Sequence, residues 1–387
     1  MNLKKESLNY RKKYRGVLEV KSRPPVKNGH DLELIYTPGV AFACSEIHRN
    51  PGDVYRYTNK WNSVAIVTDG TAVLGLGDIG PEAALPVMEG KAVLFKELAG
   101  VDAYPVCLAT TDVDKIVETI KLISPGFGGI NLEDISSPRC FQVEKKLKKC
   151  LDIPVFHDDQ HGTAVVVLAG LLNALKIVGK TISQVKIAVS GAGAGAVAVS
   201  MFLMKAGVKD IVLCDRMGAI YEGRRGHMND VKTAISKTTN MKNEKGSLAD
   251  VMKGKDVFIG LSVAGMVTKN MVRSMAADSV VFALANPVPE IMPEKARDAG
   301  AAVVATGRSN LANQINNALG FPGIFRGALD ARAGTITEKM KIAASGAIAG
   351  LIPKSKLHPD YIIPEPLDKR VVPAVASAVR KAVKNSA

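Results

Sequence analysis

One segment constrains the fold more than any other. Residues 185–215 read VKIAVSGAGAGAVAVSMFLMKAGVKDIVLCD. The apolar strand Lys186–Ser190 runs into a small-residue turn, Gly191–Ala196, which opens an apolar helix. A second strand, Ile211–Cys214, then ends at Asp215, 24 residues after Gly191. A glycine pattern alone is weak, but strand, turn, helix, strand and acid together form a dinucleotide-binding unit. Gly191 permits the tight turn, Gly193 lets the backbone approach a pyrophosphate, and Ala194 and Ala196 keep the helix start small enough to pack on the strand. The helix N-terminus offers free N–H groups to the phosphates. Asp215 is suited to accept hydrogen bonds from the adenosine ribose hydroxyls, which favours NAD. Arg216 beside it is suited to a 2′-phosphate, so NADP stays open.

The surrounding sequence extends this unit. Val257–Gly260, Val280–Ala285 and Ala302–Ala305 are further short apolar runs alternating with helices. Strands buried on both faces read this way, so an α/β fold with a doubly wound parallel sheet is expected. We place this Rossmann-type dinucleotide-binding domain at residues 161–354, opened by a long helix from Gly162 with Thr163 as its cap. Residues 1–160 mix strand-like runs (Ser63–Thr68, Ala103–Cys107) with the helical stretch Asp112–Ile123 and form a separate mixed α/β substrate domain. Residues 355–387 are a proline-punctuated tail ending in a basic helix over Ala374–Lys384, expected to pack back on the first domain. A second glycine pattern, Gly75–Gly80, is followed at once by Pro81 and by no strand that ends in an acid. It reads as a substrate-domain loop or an ordinary turn.

Two carboxylate doublets carry the chemistry: Glu133–Asp134 in GINLEDIS and Asp158–Asp159 in VFHDDQHGTA. Adjacent carboxylates repel unless a cation compensates. Each follows an apolar approach, which places it at a strand's C-terminal end, in irregular backbone where both side chains can face one ion. Oxygen donors from two such loops suit Mg²⁺ or Mn²⁺. His157 and His161 flank the second doublet without the spacing of a zinc site and are expected to orient or pack. Lys91 and Lys96 both lie on a helical stretch, and either becomes a usable base if buried. Tyr36 precedes Thr37-Pro38-Gly39, where the chain must turn.

Composition excludes more than it assigns. Lys and Arg outnumber Asp and Glu by 51 to 37, a formal charge of +14. The basic residues are dispersed without a nucleic-acid motif, so the charge reads either as a field that concentrates small anions or as a merely basic surface, and by itself it decides nothing. Five cysteines without regular spacing exclude a disulfide framework, and most are expected to be buried. No apolar run reads as a membrane anchor or secretory signal, so a cytoplasmic protein is expected.

Taken together, the motifs resemble the malic enzyme family in its short prokaryotic form. The resemblance runs in order through YTPGVA (Tyr36–Ala41), VTDGTAVLGLGDIGP (Val67–Pro81), MEGKAVLFK (Met88–Lys96), NLEDI, FHDDQHGTA, the glycine turn, ALANPVPE (Ala283–Glu290), ATGRSN (Ala305–Asn310) and INNALGFPGIFRGAL (Ile315–Leu329). It covers nearly the whole chain. It implies oxidation and decarboxylation of L-malate to pyruvate with NAD(P) and a divalent metal. By matching positions it implies Lys91 as general base, Tyr36 as general acid, and Asp158 as partner of the lysine. Glu133, Asp134 and Asp159 become metal ligands, while Asn286 and Asn317 bind substrate, Asn286 also near the nicotinamide. A homodimer with its active site near or across the interface is implied as well. The longer relatives carry an arginine after VTDG where this chain has Thr71-Ala72-Val73, so a substrate carboxylate must be met differently here. A malolactic enzyme, an oxaloacetate decarboxylase and a nucleotide-binding regulatory protein without catalysis are the competing readings.

Overall fold

The computed structural model describes residues 3–73 and 75–384. Four parallel strands, β1 (Ser63–Thr68), β2 (Asp102–Cys107), β3 (Gly129–Leu132) and β4 (Val155–His157), form a first sheet in the order β2-β1-β3-β4. The helices α1 (Leu3–Tyr14), α2 (Gly29–Ile35), α3 (Gly39–Arg49) and α4 (Val54–Tyr57) precede it. Between its strands run α5 (Pro81–Ala99), α6 (Val113–Ile123) and α7 (Arg139–Cys150). Pro105 is tolerated in β2 because that strand is an edge, where a missing N–H breaks no ladder bond.

The helix α8 (Asp158–Ile177) leads to a second sheet of β5 (Lys186–Ser190), β6 (Asp210–Asp215), β7 (Gly218–Ala219), β8 (Val257–Gly260), β9 (Val280–Ala283) and β10 (Val303–Thr306). Its order is β10-β9-β8-β5-β6-β7, parallel except for β7. The helices α9 (Ala194–Lys205), α10 (Asp230–Ser236), α11 (Leu248–Met252), α12 (Lys269–Arg273) and α13 (Pro293–Asp298) connect these strands. The chain closes with α14 (Phe321–Asp330), α15 (Glu338–Gly350) and α16 (Val371–Lys384). In both sheets the order reverses beside the first strand, between β1 and β3 and between β5 and β8. Such switch points are where open α/β sheets bind ligands.

One apolar cluster spans both sheets. It joins Val64, Ile66 and Phe156 of the first sheet to Ile187, Val189, Ile259 and Phe282 of the second, with α8 between them. Helix α8 has the length and hydropathy of a membrane span, but most of it is buried inside the protein, so it is a core helix. Phe95, Phe156, Phe321 and Phe325 stack where α5, β4 and α14 meet, with ring centroids 4.7–5.8 Å apart. Truncating any of these rings to alanine should cost about 3–5 kcal/mol.

Several boundaries differ from the sequence reading. Helix α8 begins at Asp158 rather than Gly162, and its N-cap is His157, so Thr163 lies inside the helix and caps nothing. Strand β9 stops at Ala283, two residues early. Only Cys140 and Cys214 among the five free thiols are buried. The tail helix α16 packs on α14 and α15, with Val375 and Val379 seated over Gly323 and Gly327. Helix α14 in turn lies over the first sheet, Phe325 against Gly129.

Candidate active site

The first-sheet switch point gathers both carboxylate doublets. Glu133 and Asp134 directly follow β3, and Asp134 takes a left-handed φ of 53° that breaks the strand's alternation. Asp158 and Asp159 form the first turn of α8, where the helix dipole favours negative charge. A regular helical turn, not irregular backbone, therefore presents this second pair. Oxygens of Glu133, Asp134 and Asp159 all lie within 4.8 Å of one another.

Lys91 reaches this cluster from α5. Its ammonium donates to Glu133 Oε1 at 2.5 Å and Asp158 Oδ2 at 2.5 Å, and sits 4.6 Å from the Phe321 ring centroid. Lys96, the alternative, is exposed and pairs with Asp102 at 2.6 Å. Asn317 donates to the same Asp158 oxygen at 2.6 Å. Asn131 supports Glu133 Oε2 at 3.0 Å. The Asp134 N–H donates to Asp159 Oδ2 at 2.9 Å, and His157 Nε2 lies 3.1 Å from that oxygen. Gln160 fixes the other face of the His157 ring through Nδ1, so His157 orients Asp159. His161 pairs with Glu144 at 2.7 Å and Lys341 at 3.0 Å, behind the site.

The electrostatics follow from crowding. Burial alone would lower the Lys91 pKa, but Asp158, Glu133 and Asp159 reverse that and hold the ammonium above its ordinary range. Burial raises Glu133 well above the usual carboxylate range. Lys91 offsets part of this, and Asp159, Asp158 and Asp134 add to it. Burial, with Asp159 next, lifts Asp134 to about 7. Asp159 is held low despite its burial, chiefly by the hydrogen bond and charge of His157. Four carboxylates thus face one ammonium. Asp134 Oδ2 and Asp158 Oδ1 are buried without any hydrogen-bond partner. Orphaned acceptors in an over-acidic cluster are what a divalent cation with oxygen preference would satisfy, so the donor set fits Mg²⁺ or Mn²⁺.

The second switch point faces the same cleft. Gly191 has φ +119°, and a Cβ there would stand 2.6 Å from the Leu261 carbonyl oxygen. Gly193 is the N-cap of α9, which has no side-chain cap, leaving its first N–H groups free for phosphate. Ala194 packs toward the first sheet's core, Ala196 is buried, and a Cβ on Gly195 would lie 3.4 Å from the Asp159 carbonyl oxygen. The glycine turn therefore abuts the start of α8. Asn286 is half-buried, with its carbonyl oxygen against Gly75 of the first glycine loop. That loop is tied to the acidic cluster through the Ala72 N–H to Asp134 carbonyl bond of 2.9 Å.

Two residues stand apart from expectation. Asp215 ends β6, but its oxygens already accept from Met217 N–H (2.9 Å), from Lys232 (2.6 Å) and from both terminal nitrogens of Arg224. No acceptor is left for a ribose hydroxyl in this arrangement. Arg216 is exposed beside it, 3.1 Å from His227 Nδ1. Tyr36 is 68% exposed, and its phenol makes no hydrogen bond among the described residues.

Sequence reasoning missed Phe321, Arg139 and Glu290. Arg139 donates to Thr71 Oγ1 at 3.0 Å and Asp69 at 3.3 Å; Thr71 Oγ1 also accepts the Ser136 N–H at 3.0 Å, two residues after Asp134. Phe321 lay in plain view within ALGFPGIF, but its ring meets Lys91 only through the fold.

The profile described as "Malic enzyme, N-terminal domain" matches residues 16–112 and 109–148, and "Malic enzyme, NAD binding domain" matches 160–384. The Bifunctional malic/malolactic enzyme of Bacillus subtilis is 62% identical over 99% of this chain and 93% of its own length. The NAD-dependent malic enzyme of Geobacillus stearothermophilus is 55% identical over 95% of this chain and 76% of its own. The crystal structure of the NAD-dependent malic enzyme of Thermotoga maritima superposes with a TM-score of 0.93 at 45% identity, covering 97% and 98% of the two chains.

Proposed function

The chain belongs to the malic enzyme family, and from that premise we propose that the cleft between its two sheets converts L-malate to pyruvate and CO₂ through Lys91, Tyr36 and the two acidic doublets. The observation that carries this is the buried Lys91 set against the orphaned carboxylates. Glu133, Asp134 and Asp159 would hold the divalent cation, which supplies a Lewis acid, while a nicotinamide cofactor with its pyrophosphate on Gly191–Ala196 would supply the hydride acceptor. Lys91 is an ammonium among these carboxylates, and it would give up its proton once a divalent cation offset their charge; the neutral amine, fixed by Asp158, would then take the proton of the C2 hydroxyl. Asn317 and Asn286 orient the substrate from opposite walls, and Tyr36 protonates C3. The test is malate-dependent reduction of nicotinamide with Mn²⁺, with pyruvate and lactate assayed at the end. Equal pyruvate and reduced cofactor are expected, and lactate without net reduction is the malolactic outcome. The naming of the Bacillus subtilis relative for both activities keeps that second reading in view. The setting is taken as cytoplasmic.

The cofactor is NAD or NADP. With Asp215 already bound by Arg224 and Lys232, we read the neighbouring cations Arg216 and Lys232 as the groups that would meet a 2′-phosphate. NADP is therefore expected to be preferred. Exchanging both cations in Arg216→Ala/Lys232→Gln should raise the KM for NADP at least about tenfold, as one lost charged contact does, and leave that for NAD within about twofold. Equal losses for both cofactors would remove the assignment.

The second copy completes the site. Helices α1, α2 and α3 contain no buried residue and expose Leu32, Leu34, Ile35, Tyr36 and Phe42 together. Such an apolar face is one that a partner covers. We assign it to a homodimer in which Tyr36 enters the partner's cleft. Mixing separately inactive Tyr36→Phe and Lys91→Ala chains and allowing exchange should then restore about one quarter of wild-type activity, since half the dimers carry one intact site. No recovery on mixing, with exchange verified, would place Tyr36 in its own chain's site.

A further inference from the structure

Glu290 is fully buried, and no cation among the described residues pairs with it. A buried carboxylate without a counter-ion is costly unless other donors satisfy it. Here the donors are chiefly backbone, with the Ser262 hydroxyl beside them. Oε1 accepts the Ser262 N–H at 2.9 Å and Oε2 accepts the Ala285 N–H at 3.0 Å. The carbonyl of Glu290 also accepts from Val267 N–H at 3.0 Å. The fit is close enough that a Cβ on Gly260 would lie 2.3–2.6 Å from the carboxylate atoms. Glu290 therefore requires glycine at the end of β8.

What it clamps is specific. Ser262 follows β8 at the second switch point, with its hydroxyl 2.8 Å from Ser190 Oγ at the end of β5. Leu261, one residue earlier, forms the wall against which Gly191 turns. Ala285 precedes Asn286, whose side-chain nitrogen lies 2.6 Å from where a Cβ on Gly307 would stand. One side chain thus spans the loop that walls the dinucleotide turn and the loop that carries Asn286. A carboxylate suits this tie because both of its oxygens accept, whereas a glutamine amide offers one acceptor oxygen and one NH₂ donor.

We propose that Glu290 is a positioning residue for hydride transfer, holding the wall of the dinucleotide turn and the Asn286 loop at one fixed spacing. This rests on the assignment of malate oxidation to the cleft. Misplacement of reacting groups by about 1 Å can cost on the order of 10²-fold, and hydride transfer, which needs nicotinamide and substrate in register together, is the step most exposed to it. The experiment uses the full chain with Mn²⁺ and the variant Glu290→Gln, in which an NH₂ group is forced against one backbone N–H. Two reactions are compared: malate oxidation, and decarboxylation of added oxaloacetate, in which no hydride moves. The expected result is a fall in kcat for malate of at least about tenfold and a rise in the isotope effect with C2-deuterated malate. Oxaloacetate decarboxylation, which shares Asn286 but moves no hydride, should fall by no more than about threefold. Parallel loss of both reactions, or no loss of either, with an unchanged isotope effect, would overturn the proposal. Glu290→Asp keeps the charge but shortens the reach, and gives the same split to a smaller degree if the glutamine variant does not fold. A wild-type chain that decarboxylates oxaloacetate but oxidises no malate would overturn both this proposal and the reading beneath it.

Discussion

Lys91→Ala and Lys91→Arg are expected to lose malate oxidation by about 10²–10⁴-fold, the usual worth of a positioned acid–base group. The two variants separate chemistry from stability. Alanine leaves Glu133 and Asp158 buried without their ammonium, a loss of about 3–5 kcal/mol when one partner of a buried pair is removed. Its folding must therefore be checked by thermal melt with Mn²⁺ present, which offsets part of the uncovered charge. Arginine keeps the charge but cannot release a proton near neutrality. It should melt near the wild-type temperature and still be inactive. Near-normal turnover in either folded variant would remove Lys91 as the base.

The second large effect has opposite signs with and without metal. Asp134 is raised from 3.8 to about 7 in the folded protein, chiefly by burial and then by Asp159. A folded-state value above the unfolded one means that the group favours folding while protonated. Its contribution is complete below about pH 4 and is lost as pH rises through about 7. Glu133 acts in the same direction. Lys91 is raised above its ordinary value and Asp159 is lowered, so neither changes its contribution between pH 5 and 8 on that account. Metal-free Asp134→Asn should accordingly melt higher than wild type at pH 8, by a smaller margin at pH 5, and about equal to it only below about pH 4. Adding Mn²⁺ at a hundredfold excess over Kd should stabilise wild type by about 2.7 kcal/mol at pH 8, and less at pH 5, where protons compete. The variant should gain little and turn over malate more than about 10²-fold slower. Equal Mn²⁺ shifts in both proteins would take Asp134 out of the metal site.

Features with local causes were legible in the sequence. The dinucleotide unit could be read because its turn, helix start and closing acid lie within one short segment. Both doublets were visible because neighbouring like charges are uncommon without compensation. The start of α8 was misplaced because Asp158-Asp159 looks like a loop before a capped helix, whereas the carboxylates occupy the first turn itself. Long-range partners left no local mark. Glu290 acts 28 residues away on Ser262, and Phe321 meets Lys91 across most of the chain. Asp215 was read from its position alone, and the Arg224 and Lys232 that saturate it approach only when the segment after β7 folds back.

Helix α8 starts in the acidic cluster and ends in the apolar cluster common to both sheets. A protein arranged in this way should not come apart in stages. Limited proteolysis at the exposed Asp152 would cut the chain between the two matched family regions, yet the fragments should stay associated rather than behave as separable modules. The same arrangement restricts recombination. A chimaera joining the first sheet of one relative to the second sheet of another must inherit this helix together with the neighbours it packs against, or it will assemble a core that no longer aims its own carboxylates.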